Sequence, residues 1–107
     1  MRLAITSHVM RRFLERTIEA KVKEAYLVPP RTIVRLGIVD LPLKRIKEER
    51  RLYAYHPDWN GLFFLQAEDE KIVVKTFIIL HPLLGDCLRE LIQNGNLKRV
   101  DDAFSLL

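Results

Sequence analysis

Three residues suited to phosphate binding or acid–base chemistry recur at a spacing of four near the N-terminus: His8, Arg12 and Arg16. Residues four apart on a helix lie one above the other, so a helix here would place all three in one row. Apolar residues occupy a neighbouring arc that can be buried, and they are Val9, Met10, Phe13, Leu14 and Ile18. The row would therefore follow the border between core and solvent, where an imidazole can titrate near neutral pH and guanidinium groups can bind phosphate. The simpler interpretation is a solvated helix face whose arginines pair with Glu15 or Glu19.

The segments around this row predict where the helix begins and ends. Residues 1–6 are either a short strand or a lead-in. The helical spacing of apolar residues continues to Tyr26, as one long helix or as two short helices with a break near Thr17. Pro29 and Pro30 end the helical pattern, because proline lacks an amide donor and restricts the residue before it.

Two segments of different character follow the prolines. Residues 32–39 are rich in β-branched side chains and are predicted to form a strand. Residues 40–51 are the most charged part of the chain, with five basic residues after Pro42. They are interpreted as a basic loop or a short helix over the sheet, and a solvated face without a ligand is an equally good reading of their charge.

The second half of the chain predicts an antiparallel meander followed by a helix. Strands are expected at residues 52–56, 62–66 and 71–80, because turn signals separate these apolar runs. Residues 83–92 carry a helical apolar stripe, and residues 97–107 add one more turn. The expected fold is α+β: an N-terminal helix or helix pair packed on an antiparallel β-meander of about four strands, plus a C-terminal helix.

Length and composition favour a single folded domain over residues 1–107, with 49% hydrophobic and 30% charged residues. No apolar run approaches the roughly 18 residues of a membrane span, and the N-terminus has no secretory signal pattern. The single cysteine, Cys87, cannot form an internal disulfide, so a reducing cytoplasm is expected. A glycine-rich phosphate loop and the usual zinc spacings are missing from the sequence, so we predict neither a metal site nor a cofactor.

Charge is distributed unevenly along the chain. Residues 1–51 contain 13 Lys and Arg against 6 Asp and Glu, a net charge of +7, whereas residues 52–107 have a net charge of −3. The basic half predicts an anionic partner. Nucleic acid is the commonest such partner, and an acidic protein is the next.

The run His8-x3-Arg12-x3-Arg16-x-Ile18, with the later strand sequence KIVVKTF at residues 71–77, resembles a family of small bacterial domains of unknown function. The usual opening of that family is His-x3-Arg-x3-Arg-Gly-Ile-Ser, and this chain has Thr17 and Glu19 at the Gly and Ser positions. The family is similar in architecture to the RelE and barnase-like ribonuclease toxins. In those proteins N-terminal helices pack on a four-stranded antiparallel sheet, and RNA is cleaved on its open face.

This resemblance implies a small, metal-independent endoribonuclease of toxin type. His8 would be the general base or acid, and Arg12 and Arg16 would hold the scissile phosphate. Tyr53, Tyr55 and His56 could supply base stacking or a second proton donor, with Tyr55 assigned to the catalytic set. Lys75 and Thr76 could face the same cleft. RNA would be bound by a further set of basic and aromatic residues: Arg11, Arg45, Arg51, Tyr53 and Lys75.

Partners and alternatives follow from the same reading. RNA and an acidic inhibitory protein of antitoxin type are the expected partners, with no membrane association. The main alternative is a non-catalytic module of the same fold that binds nucleic acid or protein through its basic half. A third possibility is a homodimer formed through residues 83–92 or the sheet edge. Independently of these readings, Tyr53 and Tyr55 alternate with Leu52 and Ala54, so they could simply cover one sheet face.

Overall fold

The computed structural model describes residues 1–5, 12–104 and 106, with only the backbone of Arg12 and Phe13. Five strands lie in this part of the chain: β1 (Arg2–Ile5), β2 (Tyr26–Leu27), β3 (Arg51–His56), β4 (Gly61–Glu68) and β5 (Lys71–Ile79). Five helices lie in the same residues: α1 (Arg12–Glu24), α2 (Pro30–Arg35), α3 (Leu43–Glu48), α4 (Pro82–Gln93) and α5 (Val100–Ala103).

The strands form one mixed sheet in the order β1-β5-β4-β3-β2. β3, β4 and β5 form the predicted meander, but β1 precedes the first helix and pairs in parallel with β5, in the register Leu3↔Ile72 and Ile5↔Val74. The predicted helix-first antiparallel meander of about four strands is therefore wrong. The physical reason is non-local: β5 would otherwise be an open apolar edge, and β1 covers it from a distant part of the chain.

In two places the secondary structure differs from the one that the local sequence favours. Residues 32–39 do not form the predicted strand, because helix α2 occupies Pro30–Arg35 and a turn with Gly37 at φ 70° follows it. Proline at the first helical position favours this start, and burial of Thr32 and Ile33 holds the helix against the sheet. Helix α1 ends at Glu24, and Tyr26, predicted to be helical, instead belongs to β2. The ambiguous charged segment contains the short helix α3.

The sheet has apolar clusters on both faces. Ala54 and Phe63 pack with Val22 of α1, on the side that we call the α1 face. Tyr53, Tyr55 and Leu62 point the other way and pack with side chains from α2, α3 and α4, on the side that we call the α4 face. The fold is therefore a sheet between two layers of helices, and a side chain's position in its strand decides which layer it meets.

Helix α4 confirms the helix predicted after the last strand. Its first residue is Pro82, and the Nδ1 atom of His81 caps the helix by accepting a hydrogen bond of 3.1 Å from the amide of Leu83. Its close contact with the sheet depends on Gly85, since a Cβ there would collide with the side chain of Asn60. Helix and sheet thus approach more closely than any other residue at position 85 would allow.

Candidate functional site

A pocket of about 360 Å³ opens on the α4 face of the sheet. Its floor follows the strand register: Tyr53 of β3 lies opposite Phe64 of β4, which lies opposite Thr76 of β5. Residues paired directly across strands point to the same side, so these three form a row across the sheet. We call this the Tyr53 pocket, and its lining residues are Arg51, Tyr53, Phe64, Leu65, Gln66, Lys75 and Thr76.

Tyr53 is the unusual residue of the pocket. Its side chain is 1% exposed, yet its buried hydroxyl has no hydrogen-bond partner among the described residues. Burial raises the pKa of this phenol above 10.0, so the group is a neutral donor at physiological pH. The ring packs edge-on against Phe64, with centroids 5.2 Å apart. A buried hydroxyl without a partner is costly in a folded protein, and a ligand that reached it would remove that cost.

The neighbouring Tyr55 provides a contrast within the same strand and face. It is fully buried, and its hydroxyl donates a hydrogen bond of 2.7 Å to Oδ1 of Asn60. The amide nitrogen of Asn60 in turn donates to the backbone oxygen of Leu80 at 2.8 Å. Tyr55 is thus committed to holding the turn and the end of β5, and it is not part of the pocket lining.

Two cations flank the pocket. The guanidinium of Arg51 donates to Oε2 of Glu49 at 2.5 Å, and Arg45 donates to Oε1 of the same carboxylate at 3.1 Å. These hydrogen bonds, that from Arg51 foremost, hold the pKa of Glu49 below 4.5, so the carboxylate is charged at neutral pH. Lys75 is exposed and occupies a bulge, where the register between β4 and β5 shifts at Phe64/Leu65. Lys75 and the Arg45–Glu49–Arg51 group together carry three positive charges and one negative charge, so the surroundings of the pocket are positive.

Gln66 adds a fixed polar group between the cations. It pairs across the strands with Arg51, and its amide nitrogen donates a hydrogen bond of 2.9 Å to the backbone oxygen of Glu49. This bond sets the orientation of the carboxamide, so its oxygen is the atom left to accept a hydrogen bond. Sequence reasoning missed Gln66 and Glu49, although the Asn60–Gly61 turn fixes the register that brings Gln66 opposite Arg51.

The structure brings together four of the residues predicted from sequence, namely Arg51, Tyr53, Lys75 and Thr76. Arg45 is joined to them through Glu49. Arg16 is exposed on α1, which packs on the opposite face of the sheet. Of the predicted row, His8 and the side chain of Arg12 lie outside the described residues, as does the RNA-binding candidate Arg11.

A second polar cluster lies on the α1 side. His56 is 2% exposed, and its Nε2 lies 3.1 Å from Oε2 of Glu24. The hydrogen bond with His56 is the main cause of a lowered pKa of Glu24, and a bond from Lys21 assists it. The ring of Trp59 lies 5.2 Å from the His56 ring. The buried histidine thus joins the end of α1 to the end of β3, a role that its position beside Pro57 did not reveal.

None of the described helices is long and apolar enough to cross a membrane. Within the same residues, no group of three or more His, Cys, Asp or Glu side chains is arranged to hold a metal ion. Comparison of the chain with protein-family models, with curated proteins and with solved structures found no significant match.

Proposed function

We propose that this chain binds single-stranded nucleic acid at the Tyr53 pocket, with RNA as the expected strand. The observation that carries the proposal is the buried, unpartnered hydroxyl of Tyr53 in a pocket flanked by Arg51 and Lys75. Nucleic acid carries the groups that this arrangement lacks. Its phosphates are anions for the two cations, and its bases and sugars are hydrogen-bonding partners for a phenol.

The cations suit a phosphodiester in different ways. Arg51 presents a planar guanidinium whose side chain is 38% exposed, so nitrogens beyond the one bound to Glu49 can be reached from solvent. Lys75 is a point charge on the neighbouring side of the pocket. Two cations that line one pocket can contact successive phosphates of a strand. Binding through them should weaken with rising salt, because each contact releases counterions.

Binding is better supported than cleavage at this pocket. Metal-independent cleavage needs a base and an acid beside the phosphate, and His, Asp and Glu do not occur among the pocket-lining residues that the structure describes. The pKa of Tyr53 is raised further from neutrality by burial. Ribonuclease action through the His8, Arg12 and Arg16 row is a separate proposal, and the described part of α1 lies across the sheet from the pocket.

Fluorescence anisotropy with a labelled mixed-sequence RNA, in EDTA, tests both proposals. We expect Arg51→Gln and Lys75→Gln each to weaken binding and to reduce the salt slope by about 1. Arg16→Gln is the matched control, because it removes one exposed charge on α1, which packs on the opposite face of the sheet. A matching DNA shows whether the strand must be RNA.

Each contrary result has a distinct meaning. If the Arg16 variant loses as much affinity as the other two, binding reflects net charge or the α1 face, and the pocket is not the site. If RNA does not bind and an acidic protein partner does, the nucleic-acid proposal fails in favour of protein recognition. If the labelled RNA is cut and His8→Ala abolishes cutting while the domain stays folded, the ribonuclease proposal replaces binding alone.

A further inference from the structure

We propose that the Tyr53 pocket takes an unstacked nucleobase, while the phosphates stay at its rim. The pocket would recognise the base edge through the hydroxyl of Tyr53 and the carboxamide oxygen of Gln66. This inference rests on the proposed function, and it specifies which part of the strand enters the pocket.

The pocket has an apolar floor and a charged rim, which favours a base over a phosphate in its interior. The floor is formed by the edge-packed rings of Tyr53 and Phe64, whereas Arg51 and Lys75 reach solvent. A phosphate pushed against the two rings would lose its water without gaining a cation within the floor. An aromatic base loses little by the same burial, because its faces are apolar and make favourable contacts with protein rings. A volume of about 360 Å³ lies within the range of small-ligand pockets and leaves room for one base.

Two polar groups, the hydroxyl of Tyr53 and the carboxamide of Gln66, could bind the edge of a base. One N–H of the Gln66 carboxamide donates to the backbone oxygen of Glu49 at 2.9 Å, and the side-chain oxygen remains an acceptor. The Tyr53 hydroxyl is a donor without an acceptor among the residues that the structure describes. Because Tyr53 pairs with Phe64, and Arg51 with Gln66, the two groups are diagonal neighbours on one sheet face.

An acceptor and a donor side by side match a base edge that carries a donor next to an acceptor. Uracil presents this pattern with its N3–H beside a carbonyl oxygen, and the other common bases present it on at least one edge. The pocket would therefore require a base to be present and its edge to be free, and it would discriminate only moderately between base identities.

Chemically altered oligonucleotides test this inference apart from the proposed function. The probes are an octamer of uridine, the same octamer with abasic riboses, and octamers with 3-methyluridine or 5-methyluridine. The first methyl group removes the N3–H donor, whereas the second adds equal bulk and leaves that donor in place. Affinities are measured by anisotropy for the wild type, Tyr53→Phe and Arg51→Gln, with circular dichroism as the check on folding.

We expect the abasic octamer to bind at least about fivefold more weakly than the uridine octamer. We expect the 3-methyluridine octamer to bind about fivefold more weakly or worse, and the 5-methyluridine octamer to bind almost as tightly as the uridine octamer. Tyr53→Phe should weaken the uridine octamer and leave the abasic octamer unchanged. Equal binding of uridine and abasic octamers, with both weakened by Arg51→Gln, would overturn the base pocket while leaving nucleic-acid binding intact. Failure of every octamer to bind would overturn both.

Discussion

Removal of one oxygen atom from each of two neighbouring tyrosines should have opposite effects on stability. Tyr53 and Tyr55 lie on the same strand, face the same side of the sheet and are both almost fully buried. They differ in their hydroxyls, because that of Tyr55 donates to Asn60 and that of Tyr53 has no partner in the described part of the chain. Tyr→Phe preserves the ring at either position, so each substitution reports on the hydroxyl alone.

The magnitudes follow from the cost of unpaired polar groups. A buried hydroxyl without a partner costs about 1–3 kcal/mol, so Tyr53→Phe should stabilise the free protein by about 1 kcal/mol or more. For a domain of this size that raises the melting temperature by about 4 °C. Tyr55→Phe removes a hydrogen bond and leaves the Asn60 oxygen without this donor, which should destabilise the protein by about 1–2 kcal/mol.

Urea unfolding followed by circular dichroism measures both variants against the wild type. Two-state transitions with equal denaturant slopes would allow the midpoints to be compared directly. If Tyr53→Phe destabilised the protein as much as Tyr55→Phe, the Tyr53 hydroxyl would have a bonding partner in solution, and the reasoning for a ligand at this group would be refuted.

The same variant should bind nucleic acid less well although it is more stable. Loss of one hydrogen bond of about 1 kcal/mol corresponds to roughly fivefold weaker binding. Such a combination, a gain in stability with a loss of affinity, is the signature of a group kept for a ligand. If Tyr53 had only a structural role, removal of its hydroxyl would lower both the stability and the affinity, or change neither.

Other predictions concern charge, pH and packing. Glu49→Gln should strengthen RNA binding about threefold or more in anisotropy, because it removes an anion that competes for Arg51; unchanged affinity would mean that the arginine does not contact phosphate. Glu24 and Glu49 have pKa values lowered chiefly by hydrogen bonds with His56 and Arg51, so their contribution to stability is present above pH 4.5 and is lost as the pH falls through their folded pKa values. Glu24→Gln should therefore flatten the fall in melting temperature on acidification, and an unaltered pH profile would contradict this. Gly85→Ala should destabilise the protein by about 1–3 kcal/mol in urea unfolding, since the new methyl group meets the side chain of Asn60, and a neutral result would show that α4 can move outward.

Local sequence patterns predicted the elements with strong periodicity. Strands β3, β4 and β5 and helix α4 were all anticipated, because turn residues such as Asn60 and Gly61 separate runs of clear spacing. The failures were non-local. β-branched residues in 32–39 favoured a strand, but Pro30 and the burial of Ile33 against the α4 face produced a helix. Pairing of β1 with β5 depends on contacts between distant segments, which no local window contains.

The candidate site was predictable in part for the same reason. Arg51, Tyr53, Lys75 and Thr76 were identified as residue types suited to RNA, and strand register brought them together. The division of the sheet into two faces was not predictable, and it separates these residues from α1. The hydroxyl of Tyr55 has a hydrogen-bond partner, whereas that of Tyr53 has none among the described residues. This difference depends on which side chains lie nearby in the fold, so it could not be predicted from the sequence.

The parallel pair between β1 and β5 has a consequence for how the protein is made. Arg2 pairs with Lys71, so β1 can join the sheet only after about 70 further residues have left the ribosome. Contacts between residues so distant along the chain slow folding, because the entropy cost of closing a long loop comes before the contacts contribute any favourable free energy. During synthesis, Leu3 and Ile5 therefore emerge long before Ile72 and Val74, the residues that they pair with. The meander from β3 to β5 can assemble from neighbouring segments, so docking of β1 should be a late step of folding.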